Sequence, residues 1–200
     1  MTWAQLVTFN VVLIVAIASP GPAMLMATQT TLSAGRTAGI AVGVGLGLMA
    51  AIWTMMALLG FGVVFELFPF LYVGAKVAGA AYLLYIAYRM WRSASVPAKV
   101  VIKPGRRAFR QGFLVNLFNP KSVLFAAAVL VTVFPAGIGV TDSIVIVANH
   151  FLVEIAFYTA LAFGMSTQAV AKRYMQAKIY IDRAGSVVLG ALGLRILLSR

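Results

Sequence analysis

The chain has 200 residues, of which 62% are hydrophobic and 10% charged, and it carries a net charge of +12. A soluble domain carries about 25% charged residues, so this composition, with a mean hydropathy of +1.00, belongs to the membrane class and leaves no room for a separate soluble domain. The basic residues lie between apolar runs without interleaved aromatic platforms, which reads as topology and lipid headgroup contact and excludes nucleic-acid binding.

Six apolar segments follow in chain order: Trp3–Ala27, Ala38–Phe65, Leu71–Tyr88, Gly112–Phe134, Ser143–Phe163 and Ile179–Leu198. Each approaches or exceeds the length that crosses a hydrocarbon core about 30 Å thick. Ala16-Ile17-Ala18 before Ser19 resembles a signal-peptidase site, but no Lys or Arg precedes it; the first span is expected to be retained. Arg36, then Arg92, Lys99, Lys103, Arg106, Arg107 and Arg110, then Lys172, Arg173 and Lys178 fall in the odd loops, and the even loops lack Lys and Arg. The positive-inside rule makes the odd loops cytoplasmic and puts both termini outside.

The expected fold is an all-α integral membrane protein, one polytopic domain over residues 1–200. Its half-repeats are 1–92 and 108–200, joined by a basic cytoplasmic loop, 93–107. Spans 1 and 4 each contain a Pro break, and Ala78-Gly79-x-x-x-Leu83 in span 3 aligns with Ala184-Gly185-x-x-x-Leu189 in span 6. Three spans per half make this a 3+3 inverted repeat, a plan common in secondary transporters.

The breaks are Ser19-Pro20-Gly21-Pro22 and Asn119-Pro120-Lys121. Proline lacks an N–H and crowds the carbonyl four residues back. Pro20 therefore frees the carbonyl of Ala16, Pro22 that of Ala18 and Pro120 that of Asn116. Ser19 and Asn119 are expected as N-caps of the second half-helices, since Ser and Asn suit that position and proline the next. Such a break presents bare carbonyls on one side and N–H groups with a positive dipole end on the other. A zwitterion needs both. Lys121 adds a charge for its carboxylate, and Asn116 and Asn119 add donors and acceptors.

His150, Glu154 and Tyr158 recur every four residues on one face of span 5. A charge at bilayer depth faces the protein interior by default. Glu154 suits binding of an ammonium group or exchange of a coupling proton, Lys121 is its expected partner, and His150 and Tyr158 are secondary members. Lys76 lies near the outer end of span 3, where it snorkels. One His and no Cys make a poor set for a soft metal. Gly39, Gly43 and Gly47 give span 2 a smooth face for close helix contact; glycine faces of this kind also permit a homodimer.

Ser19-Pro20-Gly21-Pro22 with Gly35-Arg36-x-Ala38-Gly39, and Gly112-Phe113-Leu114-Val115-Asn116-Leu117-Phe118-Asn119-Pro120-Lys121, resemble the two signature segments of the LysE/RhtB amino-acid exporters. The resemblance covers nearly the whole chain. It implies a multi-pass exporter of about six helices in the bacterial inner membrane. Such a protein moves amino acids or close derivatives outward at the expense of the proton gradient, with an acidic residue in span 5 that Glu154 fits. Ala23, where many members are polar, and the Ala-rich stretch after Lys121 depart from the pattern. The expected substrate site is Ser19, Pro20, Gly21 and Pro22 with Asn116, Asn119, Pro120 and Lys121; Glu154, His150 and Tyr158 serve the ammonium or the proton. No cofactor is expected. An exporter of a metal or other small cation and a non-transport membrane scaffold are the alternatives. A membrane enzyme is excluded because no nucleophile–base set can be assembled.

Overall fold

The computed structural model describes the backbone of residues 1–19, 21–67, 69–95, 107–134, 138–165 and 167–198. Among these residues every regular element is an α-helix: α1 (Trp3–Ala18), α2 (Pro22–Ala34), α3 (Arg36–Leu67), α4 (Pro69–Ser93), α5 (Ala108–Leu117), α6 (Pro120–Val133), α7 (Val140–Gly164) and α8 (Gln168–Leu198). Arg36–Gly60 and Val140–Gly164 are each long and apolar enough to cross a membrane alone. Two further spans result if α1 with α2, and α5 with α6, each count as one bent unit; both pairs turn by 61°.

Local chemistry sets the helix starts. Thr2 and Gln5 form a reciprocal capping box on α1. Asn119 Oδ1 accepts the backbone N–H of Lys121 at the head of α6, with Pro120 in the first turn. Asn119→Ala is expected to lower stability by about 1 kcal/mol through loss of this cap, measurable as a lower thermal midpoint of the purified protein.

Ser19 is not the N-cap of the second half-helix. That position is two residues later, at Gly21, which makes no side-chain cap bond, and Pro22 occupies the first turn of α2. Ser19 instead ends α1 as its C-cap, because its hydroxyl is drawn to a carboxylate on α8. Pro20 lies outside the described residues, as do the side chains of Pro120 and Lys76.

α3 packs along α5 and α7, and α4 along α8 and α6. The glycine face of α3 is what brings α7 close. A Cβ on Gly43 would stand 2.4 Å from Tyr158 Cβ, and one on Gly47 would stand 3.1 Å from Glu154 Cβ. The stripe read as packing chemistry thus seats two of the polar residues of α7. The Asn10 and Asn149 amides donate to each other's carbonyls at 3.3 and 2.7 Å, joining α1 to α7.

Two apolar clusters flank the polar centre. One, including Phe9, Leu13, Leu83, Val129, Ile146 and Leu189, ties α1, α4, α6, α7 and α8 together. The other, including Met24, Val42, Leu46 and Tyr158, joins α2, α3 and α7. Large apolar side chains also face outward, among them Trp3, Leu59, Val140, Leu152, Tyr180 and Leu198. An apolar outer surface suits lipid as its solvent, whereas in water so many exposed groups would drive association.

Candidate functional site

The carbonyls that the prolines were expected to free all receive donors. Lys121 Nζ donates to Ala16 O at 2.9 Å. The Tyr174 hydroxyl donates to Ala18 O. Asn116 O accepts the Trp53 indole N–H at 3.4 Å and the Asn119 backbone N–H at 3.1 Å. The end of α1 is thereby held by side chains from α6 and α8. Burial makes such donors obligatory, because a bare carbonyl away from water costs as much as a lost hydrogen bond.

Asn116 reaches in a different direction from its carbonyl. Its Nδ2 donates to Leu46 O at 2.6 Å, fastening α5 to α3. Only an amide nitrogen can face a carbonyl, so Oδ1 points the other way, buried and without a hydrogen-bond partner among the described residues.

His150, Glu154 and Tyr158 lie on one buried face of α7, with 2%, 5% and 3% of their surface exposed. Thr54 Oγ1 and His150 Nδ1 are 2.7 Å apart. His150 Nε2 is 3.4 Å from Glu154 Oε1, an ion-pair distance without hydrogen-bond geometry, and Glu154 Oε2 has no hydrogen-bond partner among the described residues. The expected pairing of Glu154 with Lys121 is not made. Lys121 has no carboxylate within ion-pair distance among the described residues, because its ammonium turns to the carbonyl at the end of α1.

The two charges nevertheless meet across a common space. A cavity of about 50 Å³ is lined by Ser19, Gly21, Pro22, Asn116, Asn119 and Lys121 from the two breaks, and by His150, Glu154 and Tyr158 from α7. Leu13, Ile17, Met24, Ala50 and Phe125 supply apolar wall. The volume holds the centres of about three to five waters, the scale of a small polar solute. Among the described residues, no group of three His, Cys, Asp or Glu could hold a metal ion.

A second polar cluster escaped the sequence reading. Tyr174, Lys178 and Asp182 recur every four residues on α8, and Lys178 and Asp182 are buried. Lys178 Nζ donates to Asp182 Oδ2 at 2.7 Å and to Ala94 O at 3.2 Å. Ser19 Oγ donates to Asp182 Oδ1 at 3.0 Å. Lys178, expected in a basic loop, lies inside α8, which begins ten residues earlier at Gln168. The four-residue spacing was the available signal, hidden by the surrounding Lys172, Arg173 and Arg183.

The cavity thus brings the Lys121 ammonium, held by a carbonyl, and the Glu154 carboxylate, beside His150, to one space without pairing them. The model of the LysE type translocator family matches residues 14–200. The chain belongs to this family. It is 28% identical over 200 residues to the threonine efflux protein of Escherichia coli (strain K12), covering 96% of this chain and 97% of that protein. The threonine efflux protein of Salmonella typhimurium is 27% identical over 201 residues, with the same coverage. An uncharacterized membrane protein of E. coli, YahN, is 26% identical over 184 residues, covering 90% and 82%. No solved structure matches this translocator. Family membership makes it a membrane transport protein of small molecules.

Proposed function

We propose that this translocator exports a small amino acid or a close derivative across the bacterial inner membrane, driven by the proton gradient. The observation that carries the reading is the cavity itself. Lys121 and Glu154 face one small space without neutralising each other, an arrangement that costs energy when empty and complements the two ends of a zwitterion. Lys121 takes the carboxylate with the donors it does not spend on Ala16 O. Glu154 takes the ammonium or the coupling proton, with His150 beside it.

The architecture proposed is six spans in a 3+3 inverted repeat forming one polytopic domain, with both termini outside. Its support is internal. The units α1–α2 and α5–α6 bend by the same 61°, and α3 packs on α7 and α4 on α8, each against its counterpart in the other half. Similarity to threonine efflux proteins favours an amino acid with a short hydroxylated or aliphatic side chain as cargo.

The test is efflux from cells overproducing the protein, loaded with dipeptides, beside a Lys121→Ala strain of equal membrane content. Faster appearance of one or a few amino acids is expected, falling by at least about tenfold in the variant, as loss of a charge-assisted contact dictates. Equally fast efflux in Lys121→Ala would remove Lys121 from the site, and no faster efflux of any solute from either strain would favour the scaffold alternative. Faster efflux of a metal ion with no amino acid would favour the cation alternative.

A further inference from the structure

Hydrogen-bond polarity inside the cavity singles out one chemical group. A carboxylate held by the Lys178 ammonium is an acceptor only, so the hydrogen bond between Ser19 and Asp182 must use the single proton of Ser19 Oγ. What Ser19 turns to the cavity is therefore lone pairs. Asn116 is set the same way, because Leu46 O consumes its amide nitrogen and leaves Oδ1 unpartnered and buried. Glu154 Oε2 is, like Asn116 Oδ1, buried and without a hydrogen-bond partner among the described residues, as is His150 Nε2 beside it. Ser19, Asn116 and Glu154 all line one cavity.

We propose that this cavity holds a primary ammonium group on three acceptors, Ser19 Oγ, Asn116 Oδ1 and Glu154 Oε2, and that Asp182 is a positioning residue that fixes the polarity of the first. The inference rests on the exporter reading and deepens it. An ammonium group has three N–H bonds and no lone pair, matching three acceptors with no donor among them. Burial makes the match selective, since each acceptor left bare in an analogue lacking its N–H loses a full hydrogen bond. A lone metal cation fits less well, because Lys121 brings a positive charge into the same space.

Asp182 acts through its proton demand rather than by touching cargo. In Asp182→Asn the side-chain carbonyl oxygen turns to the Lys178 ammonium, which cannot accept, and the amide N–H is presented to Ser19. Ser19 then becomes the acceptor of that bond, and its own proton points into the cavity against the ammonium. One attractive contact becomes a repulsive one.

The experiment is counterflow of labelled L-threonine into proteoliposomes of the full chain, competed with L-threonine, N-acetyl-L-threonine or L-threoninamide. N-acetylation, which removes the ammonium, is expected to weaken competition at least about tenfold, while the amide, which keeps it, competes better than the N-acetyl compound. Asp182→Asn is expected to raise KM about tenfold with little change in maximal rate, to shrink the preference for the free amine, and to be partly rescued in Asp182→Glu. Should Asp182→Asn fail to reach the membrane, Ser19→Ala gives the same readout by deleting the first acceptor. Equal competition by the N-acetyl compound overturns the three-acceptor site. So does competition by Na⁺ alone, or an Asp182→Asn effect confined to maximal rate. In each of these cases wild-type counterflow leaves the exporter reading standing. Absence of threonine counterflow in the wild type overturns the threonine-like cargo, and the ammonium site with it.

Discussion

Glu154→Gln abolishes driven export while leaving the protein in the membrane: this is the largest effect expected of any single substitution here. Gln matches Glu in shape, so the packing of α7 against Gly47 is preserved. The change removes only the charge and the ability to bind and release a proton. A hydrogen bond to a charged group is worth about 1.5–3 kcal/mol, which alone amounts to about ten- to a hundredfold in affinity. The replacement also puts amide N–H donors where an incoming ammonium needs acceptors. Among the described residues, Glu154 has no cation but the neighbouring His150 within ion-pair distance, so no second charge there compensates. The check is amino-acid efflux against membrane content determined on the same cells. Full activity in Glu154→Gln would remove this carboxylate from the mechanism.

Gly112→Ala carries the second large effect, and it reaches the site through backbone contact alone. A Cβ at Gly112 would lie 2.2 Å from Val42 O, and one at Gly45, on the facing helix, 2.1 Å from Phe109 O. These obstacles are backbone atoms, so no rotamer change relieves the clash and α5 must move off α3. Overpacking of this kind costs about 1–3 kcal/mol or more. The movement also pulls Asn116 from Leu46 O and shifts the head of α6, where Lys121 begins. Transport is expected to fall at least about tenfold, together with a lower thermal midpoint. Gly60→Ala is the matched control, since none of the described residues places an atom within 4 Å of a Cβ there. It should leave both properties unchanged. Equal behaviour of the two variants would mean that the contact of α5 with α3 is looser than described.

Much of the site was legible because its signals are local. Proline removes a specific hydrogen bond at a specific distance along the chain, so the carbonyls of Ala16, Ala18 and Asn116 could be named from spacing alone; each was found taking a donor from another element. The Asn119 cap is local in the same sense. A four-residue period places His150, Glu154 and Tyr158 on one face whatever surrounds the helix. Composition decided that the chain is a membrane protein, since 10% charged residues leave too few to cover a soluble surface.

Tertiary structure alone decided the partners. Nothing near Ser19 in the sequence announces a carboxylate 163 positions away, yet that contact moves the helix start to Gly21 and makes Ser19 an acceptor toward the cavity. Charge complementarity suggested that Lys121 would pair with Glu154. The folded chain offered Lys121 a bare carbonyl at 2.9 Å instead, leaving two opposite charges open to a shared space. Lys178 and Asp182 were masked for a related reason: a basic residue among others looks like a loop until packing buries it, and their four-residue spacing alone does not name a partner. Local hydrogen-bond chemistry acts over a few residues and is written in order along the chain. Pairing between distant groups depends on which helices the glycine faces allow to meet, and that is settled only when all of them pack together.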